Sequence, residues 1–168
     1  GAAVKGIKLM ILLLAVMLLS GCALTTVEQM YCLPKRSEEY SNLQSALDAH
    51  MEGKTYCAPL TGENQQTVQM ADLTGDGAEE YLVFVKGSGE KPLQVLIFGK
   101  DASEFVFLEQ LSFSGTAFDQ VEYVQMDTDA GYELVISSQL SDQLLKSVHV
   151  FTFASGSASQ LMAENCTR

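Results

Sequence analysis

From residue 67 onward the chain is a succession of short apolar runs, each about the length of one β-strand. The runs are rich in Val, Leu, Phe and Tyr, and turns containing Gly, Ser or Asp separate them. Several short strands joined by tight turns are typical of antiparallel sheets, so we predict a mainly β fold. The eight predicted strands are Thr67–Ala71, Tyr81–Lys86, Leu93–Phe98, Glu104–Leu111, Val121–Met126, Glu133–Ser137, Lys146–Phe153 and Ala158–Met162.

Two parts of this region resemble each other. The string VQMAD at 68–72 recurs as VQMD at 124–127, which is 56 positions later, and EYLVF at 80–84 recurs as ELVI at 133–136, 53 positions later. In each repeat, sequence for two further strands follows these two strings, at 93–111 in the first repeat and at 146–162 in the second. The pattern predicts a unit of about 50–55 residues with four antiparallel strands that occurs twice, as in β-propeller blades.

Two blades do not close a propeller, which typically needs about 4–8 of them. We therefore predict an incomplete propeller, with the chain as the N-terminal part of a longer protein. Two alternatives stay open at this point. The two units form a smaller two-sheet body, or the chain pairs through its sheet edges with copies of itself.

The loop between the first two predicted strands of the first unit is rich in oxygen-bearing side chains. Its sequence, DLTGDGAEE, has such side chains at positions 1, 3, 5 and 9, and a glycine follows position 5. Calcium takes roughly 6–8 oxygen ligands at about 2.3–2.6 Å, so a tight loop of this kind is a candidate calcium site. The alternative is a metal-free Asp-Gly turn. The candidate ligands are Asp72, Thr74, Asp76, Glu80 and the carbonyl oxygen of Ala78.

This loop and the strand behind it resemble the FG-GAP/VCBS repeat of integrin-type β-propellers, whose loop has the pattern D-x-D/N-x-D/N-G-x-x-D/E and often binds calcium. The resemblance covers about residues 67–162 and implies blade-like sheets with calcium in the first loop. Thr74 departs from the acid or amide of the pattern. The second loop, from Asp127 to Glu133, is two residues shorter than the first, so we predict no metal there.

The first 21 residues form a cationic and apolar leader. Lys5 and Lys8 precede an apolar run, Leu9–Leu19, that as a helix would span only about 17 Å and is too short to cross a bilayer. Such a segment is typical of a secretory signal. The residues Leu19–Cys22 (LSGC) resemble the bacterial lipobox, which implies a diacylglycerol and fatty acyl modification of Cys22. The resemblance therefore implies a lipid-anchored protein that faces an extracytoplasmic compartment.

Four segments follow from these signals: a signal peptide at 1–21, a tether at 22–36, a helical neck at 37–66 and two repeats at 67–168. Within the neck, Ser37 can cap a helix of about residues 38–52 that Gly53 ends. Its predicted apolar face is Tyr40, Leu43, Ala46, Leu47 and Met51.

Three cysteines remain once Cys22 is assigned to lipid. An oxidising compartment permits a disulfide, and we predict a Cys32–Cys57 bridge, with two unpaired thiols as the alternative. Cys166 is then left over, which suggests a partner later in a longer chain or on another chain.

The charge and the motifs limit the function. The formal net charge of -11 argues against nucleic-acid binding, because phosphates would be repelled. The sequence has none of the common catalytic motifs, and we predict that His50 and His149 are structural. The predicted function is a non-enzymatic binding module for an extracytoplasmic protein or glycan. The alternatives are a non-catalytic part of a larger cell-envelope enzyme, for example one that acts on polysaccharide, and a purely structural envelope protein.

Overall fold

The computed structural model describes residues 39–140, 145–154 and 157–167. They belong to one compact unit that spans Ser37–Arg168. The predicted mainly β fold is confirmed, and each predicted strand has a counterpart. The elements are α1 (Glu39–Asp48), β1 (Thr55–Tyr56), β2 (Val68–Ala71), β3 (Glu80–Lys86), β4 (Leu93–Asp101), β5 (Glu104–Phe113), β6 (Ala117–Val124), β7 (Glu133–Gln139), β8 (Leu145–Ala154) and β9 (Ser157–Thr167).

The strands form two antiparallel sheets. Sheet A has five strands in the order β1-β3-β4-β5, and β2 also pairs with β3. The short β1 pairs with one end of β3 and β2 pairs with the other end, so both lie along the same strand. Sheet B has four strands in the order β6-β7-β8-β9. Over the described ranges the two sheets do not close into a propeller.

The two sheets repeat the same strand pairing with a constant shift of 53 residues. Val68 pairs with Val83 in sheet A, and Val121 pairs with Ile136 in sheet B, so both numbers rise by 53. The β4–β5 pair has an irregularity after Ile97, and the β8–β9 pair has one after Val150, again 53 positions later. The turns and the bulge thus have equal lengths in the two units, and the shorter second loop expected from the sequence is wrong, because the equivalent of Asp72 is Gln125 and not Asp127.

This pairing confirms the shift of 53 predicted from EYLVF and ELVI and corrects the shift of 56 predicted from VQMAD and VQMD. The structural equivalent of Val68 is Val121 and not Val124, and β6 begins four residues earlier than predicted, at Ala117. The recurrence of VQM 56 positions apart is therefore a coincidence of letters. The physical reason is that backbone pairing sets the register: β2 pairs with β3, β6 pairs with β7, and β7 lies 53 positions after β3.

Sheet A lies between the helix and sheet B. Residues Leu82 to Val85 of β3 have no exposed surface, which is typical of a strand that is covered on both faces. One face packs against α1 through Val83, Val85, Leu96, Phe98, Leu43 and Leu47. The other face packs against sheet B through Leu82, Phe84, Val95, Ile97, Phe118, Leu134, Ile136 and Phe151.

The helix α1 is shorter than predicted, since it ends at Asp48. The chain then leaves it through turns in which the His50 amide donates to the Leu47 carbonyl at 2.7 Å and the Lys54 amide donates to the Met51 carbonyl at 3.0 Å. Leu43 and Leu47 are buried as predicted, whereas Tyr40 is 47% exposed. Within 39–140, 145–154 and 157–167, no helix combines the length and the apolar character needed to cross a membrane.

Candidate functional site

Two equivalent loops connect the first and second long strands of each sheet. Loop 1 is residues 72–79, and loop 2 is residues 125–132. A buried glutamate follows each loop, and its carboxylate accepts a hydrogen bond from the backbone seven residues earlier. The Leu73 amide donates to Glu80 at 2.8 Å, and the Met126 amide donates to Glu133 at 2.8 Å. The two glutamates are therefore matched parts of the repeat, each closing its own loop.

Glu80 is the most enclosed of the predicted calcium ligands, with 6% of its surface exposed. Its carboxylate also accepts a hydrogen bond from the Thr74 hydroxyl at 3.2 Å. Burial raises the pKa of Glu80, and the hydrogen bonds from Leu73 and Thr74 oppose that rise. Thr74 and Glu80 are thus brought together by the fold.

The two aspartates of loop 1 hold the backbone of the loop. Asp72 accepts hydrogen bonds from the Gly75 amide at 2.7 Å and the Gly77 amide at 2.9 Å, and Asp76 accepts one from the Ala78 amide at 2.8 Å. Such bonds leave acceptor capacity on each carboxylate, and carboxylate, hydroxyl and carbonyl oxygens are the donors that calcium takes. In the part of the chain that the structure describes, no group of three or more His, Cys, Asp or Glu side chains is arranged to hold a metal ion.

Loops 1 and 2 touch through two glycines. A Cβ atom at Gly75 would lie 2.5 Å from the Gly131 nitrogen, and a Cβ atom at Gly131 would lie 2.4 Å from the Leu73 carbonyl oxygen. The Tyr132 amide donates to the Asp72 carbonyl at 3.0 Å and joins the loops directly. From the sequence we singled out only Gly77 among the glycines of these two loops, because it follows position 5 of loop 1. The contact between loops depends on how the sheets stack, which no local motif signals.

An open groove of about 560 Å³ lies beside loop 1. We call it the loop-1 groove, and four of the five predicted calcium ligands line it: Thr74, Asp76, Ala78 and Glu80. The remaining lining residues are Glu79 of loop 1 and Gly99, Lys100, Asp101, Val106 and Leu108 of the β4–β5 hairpin. The groove combines apolar side chains with carboxylates.

A buried ion pair in sheet B was not anticipated from the sequence. Asp119 is 2% exposed, and its carboxylate lies 2.6 Å from the Lys146 ammonium. Gln139 and Ser137 also donate to it, at 3.1 and 3.2 Å. Burial would raise the pKa of Asp119, but these hydrogen bonds and the charge of Lys146 lower it overall. Asp119 belongs to β6, Ser137 and Gln139 to β7 and Lys146 to β8, so the cluster holds three strands together.

The two histidines lie against aromatic side chains. The His50 ring stacks on Phe107 with the ring centres 4.2 Å apart. His149 lies between the sheets, where its Nε2 is 2.9 Å from the Ser147 hydroxyl. Its buried Nδ1 has no hydrogen-bond partner among the described residues, so no acid orients this Ser–His pair. Burial and the charge of Lys91 lower the pKa of His149, which favours the neutral ring.

Cys57 and Cys166 are the two cysteines among the described residues, and neither belongs to loop 1. Cys57 is half-buried and packs against the core between the sheets, and Cys166 is exposed on β9. Cys22 and Cys32 lie outside the described residues. Lipidation of Cys22 and the Cys32–Cys57 disulfide therefore stay predictions.

No protein-family model matches this chain, and no curated protein or solved structure matches it. The function must therefore be argued from the residues themselves.

Proposed function

We propose that this protein is a lipid-anchored, extracytoplasmic binding module. The cationic leader and the lipobox-like LSGC sequence before and at Cys22 support the anchor. The constant shift of 53 residues between the sheets supports the binding role. Scaffolds built from stacked repeats keep a rigid core and present loops and edges to partners.

The second sheet adds to this argument because its last strand is open to contacts. β9 is exposed along almost its whole length, and Leu161 and Met162 are 60% and 44% exposed. A long exposed strand at the end of a sheet is a ready surface for another chain. We interpret β2–β5 and β6–β9 as blade-like units of the FG-GAP/VCBS kind, a proposal that rests on the loop-1 motif and the two four-stranded meanders.

The lipid anchor is tested by replacing Cys22 with alanine in the whole chain, expressed in a bacterium behind an initiating methionine. We expect the parent protein to incorporate labelled fatty acid and to sediment with membranes, whereas Cys22→Ala loses both properties, because two acyl chains give stable attachment. Cys32→Ala is the matched control and keeps both. An unlabelled parent protein would refute the proposed anchor.

Calcium binding to loop 1 is a separate prediction. Calcium should raise the thermal midpoint of the parent protein by several degrees, since a ligand present at about 100 times its Kd stabilises by about 2.7 kcal/mol. Asp76→Ala should remove most of that shift, and Asp129→Ala in loop 2 should leave it unchanged. A parent midpoint that does not respond to calcium would show that loop 1 is a metal-free turn.

A further inference from the structure

We propose that the loop-1 groove binds a lysine or arginine side chain presented by an extracytoplasmic partner protein. The inference rests on the proposed binding role and names the surface and the chemistry of the partner.

The floor of the groove is apolar and accessible. Val106 and Leu108 are 48% and 36% exposed, although Phe105, Leu111 and Phe113 of the same strand are buried in the core. Gly99 lies beside them, and a Cβ atom at Gly99 would come within 3.1 Å of a Leu108 methyl carbon. A glycine here therefore leaves room at the floor. Such a surface suits the aliphatic stem of a long cationic side chain, which buries its methylenes and keeps its charge at the rim.

The rim of the groove carries negative charge. The Glu79 and Asp101 carboxylates line it and form no hydrogen bond or ion pair with any residue that the structure describes. Lys100 also lines the groove, but its ammonium lies 2.7 Å from the Glu39 carboxylate. The lysine that lines the groove is thus already paired, and the carboxylates of the groove attract a cation from outside.

The combination of floor and rim distinguishes the occupant from an inorganic ion. Calcium in loop 1 would use the oxygens of Thr74, Asp76, Ala78 and Glu80, whereas Glu79, Asp101, Val106 and Leu108 are not among its predicted ligands. A lysine or arginine side chain uses both parts, because its methylenes cover the floor and its charged end meets Glu79 and Asp101. A volume of about 560 Å³ accommodates one such side chain with its flanking backbone.

The second repeat provides an internal comparison, since its backbone has the same strand pairing. The equivalents of Gly99 and Val106 are Thr152 and Ser159, which pair with each other as Gly99 and Val106 do. At the shift of 53, Ala154 takes the place of Asp101, and Tyr132 takes the place of Glu79. Leu161 and Asp129 keep the residue types of Leu108 and Asp76, so the features found in the first repeat alone are Gly99, Val106 and the two acids Glu79 and Asp101.

The test uses nuclear magnetic resonance with the isotope-labelled chain and two small probes, N-acetyl-lysine methylamide and its uncharged analogue N-acetyl-norleucine methylamide. We expect the lysine probe to shift the signals of Gly99, Val106 and Leu108 and the norleucine probe to bind at least about tenfold more weakly. The double variant Glu79→Gln/Asp101→Asn should weaken lysine binding by about the same factor. The control Glu63→Gln/Glu90→Gln removes the same charge elsewhere and should change binding less than about twofold.

Equal weakening by both double variants would show attraction to the net charge alone and would overturn the proposal, as would signal changes that avoid the groove. A second measurement separates this failure from failure of the binding role. A photo-crosslinking residue is placed at Val106 or at Leu161 in the intact chain in cells. A crosslinked partner that bears a lysine or arginine at the Val106 site supports the groove. Partner crosslinks from Leu161 alone would keep the binding role and reject the groove.

Discussion

Replacing Phe118 with alanine is expected to lower the free energy of unfolding by about 3–5 kcal/mol, the usual range for a fully buried phenylalanine. Phe118 belongs to sheet B and has no exposed surface. Its ring makes edge-to-face contacts with Phe84 and Phe113 of sheet A, with ring centres 5.2 and 6.0 Å apart. The substitution therefore removes two of the aromatic contacts that join the two sheets and leaves a cavity between them.

Urea unfolding followed by circular dichroism measures this effect. Met126→Ala is the matched control, since Met126 is 60% exposed, and it should change stability by less than about 0.5 kcal/mol. If Phe118→Ala behaves like Met126→Ala, the sheets are not held together by this core. If it unfolds in two separate steps, the two repeats are independent of each other.

The strands could be predicted from the sequence because their signal is local. The run from Tyr81 to Val85 lies between the charged residues Glu80 and Lys86, and its residues Leu82 to Val85 are buried on both faces of the sheet. The helix was predicted too long because Met51 continues the apolar spacing. Met51 does pack against the core between α1 and sheet A, but it does so from the turn that follows α1. Tertiary packing thus preserves the apolar contact without preserving the helix.

The repeat register and the loop contact could not be predicted in the same way. What the two sheets share is the pairing of backbones, whereas the side chains at equivalent positions differ, as with Gly99 and Thr152. The recurrence of VQM indicated a shift of 56 and that of EYLVF as ELVI indicated the true shift of 53, and the letters alone could not decide between the two shifts. The Asp119–Lys146 pair and the Gly75–Gly131 contact each join residues more than 20 positions apart, and only the stacking of strands and sheets brings them together.

Replacing Gly75 with alanine is expected to destabilise the protein by about 2–5 kcal/mol. Two effects contribute. Gly75 has φ of 74°, a conformation that costs a residue with a Cβ atom about 1–2 kcal/mol. The added Cβ atom would also lie 2.5 Å from the Gly131 nitrogen, and forcing such an overlap in a packed region costs about 1–3 kcal/mol. Because the obstacle is backbone, no side-chain rotation relieves it.

Substitutions at two other glycines measure the conformational cost and the cost of the overlap separately. Gly77 has φ of 87° with nothing near its Cβ position, so Gly77→Ala should show only the conformational cost. A Cβ atom at Gly131 would lie 2.4 Å from the Leu73 oxygen, but Gly131 does not have a positive φ. Gly131→Ala should therefore show only the cost of the overlap. Urea unfolding of the three variants then tests the contact between loops 1 and 2. If Gly75→Ala lowers the free energy of unfolding by no more than Gly77→Ala does, loops 1 and 2 do not touch. The two repeats then do not stack against each other at this end of the sheets.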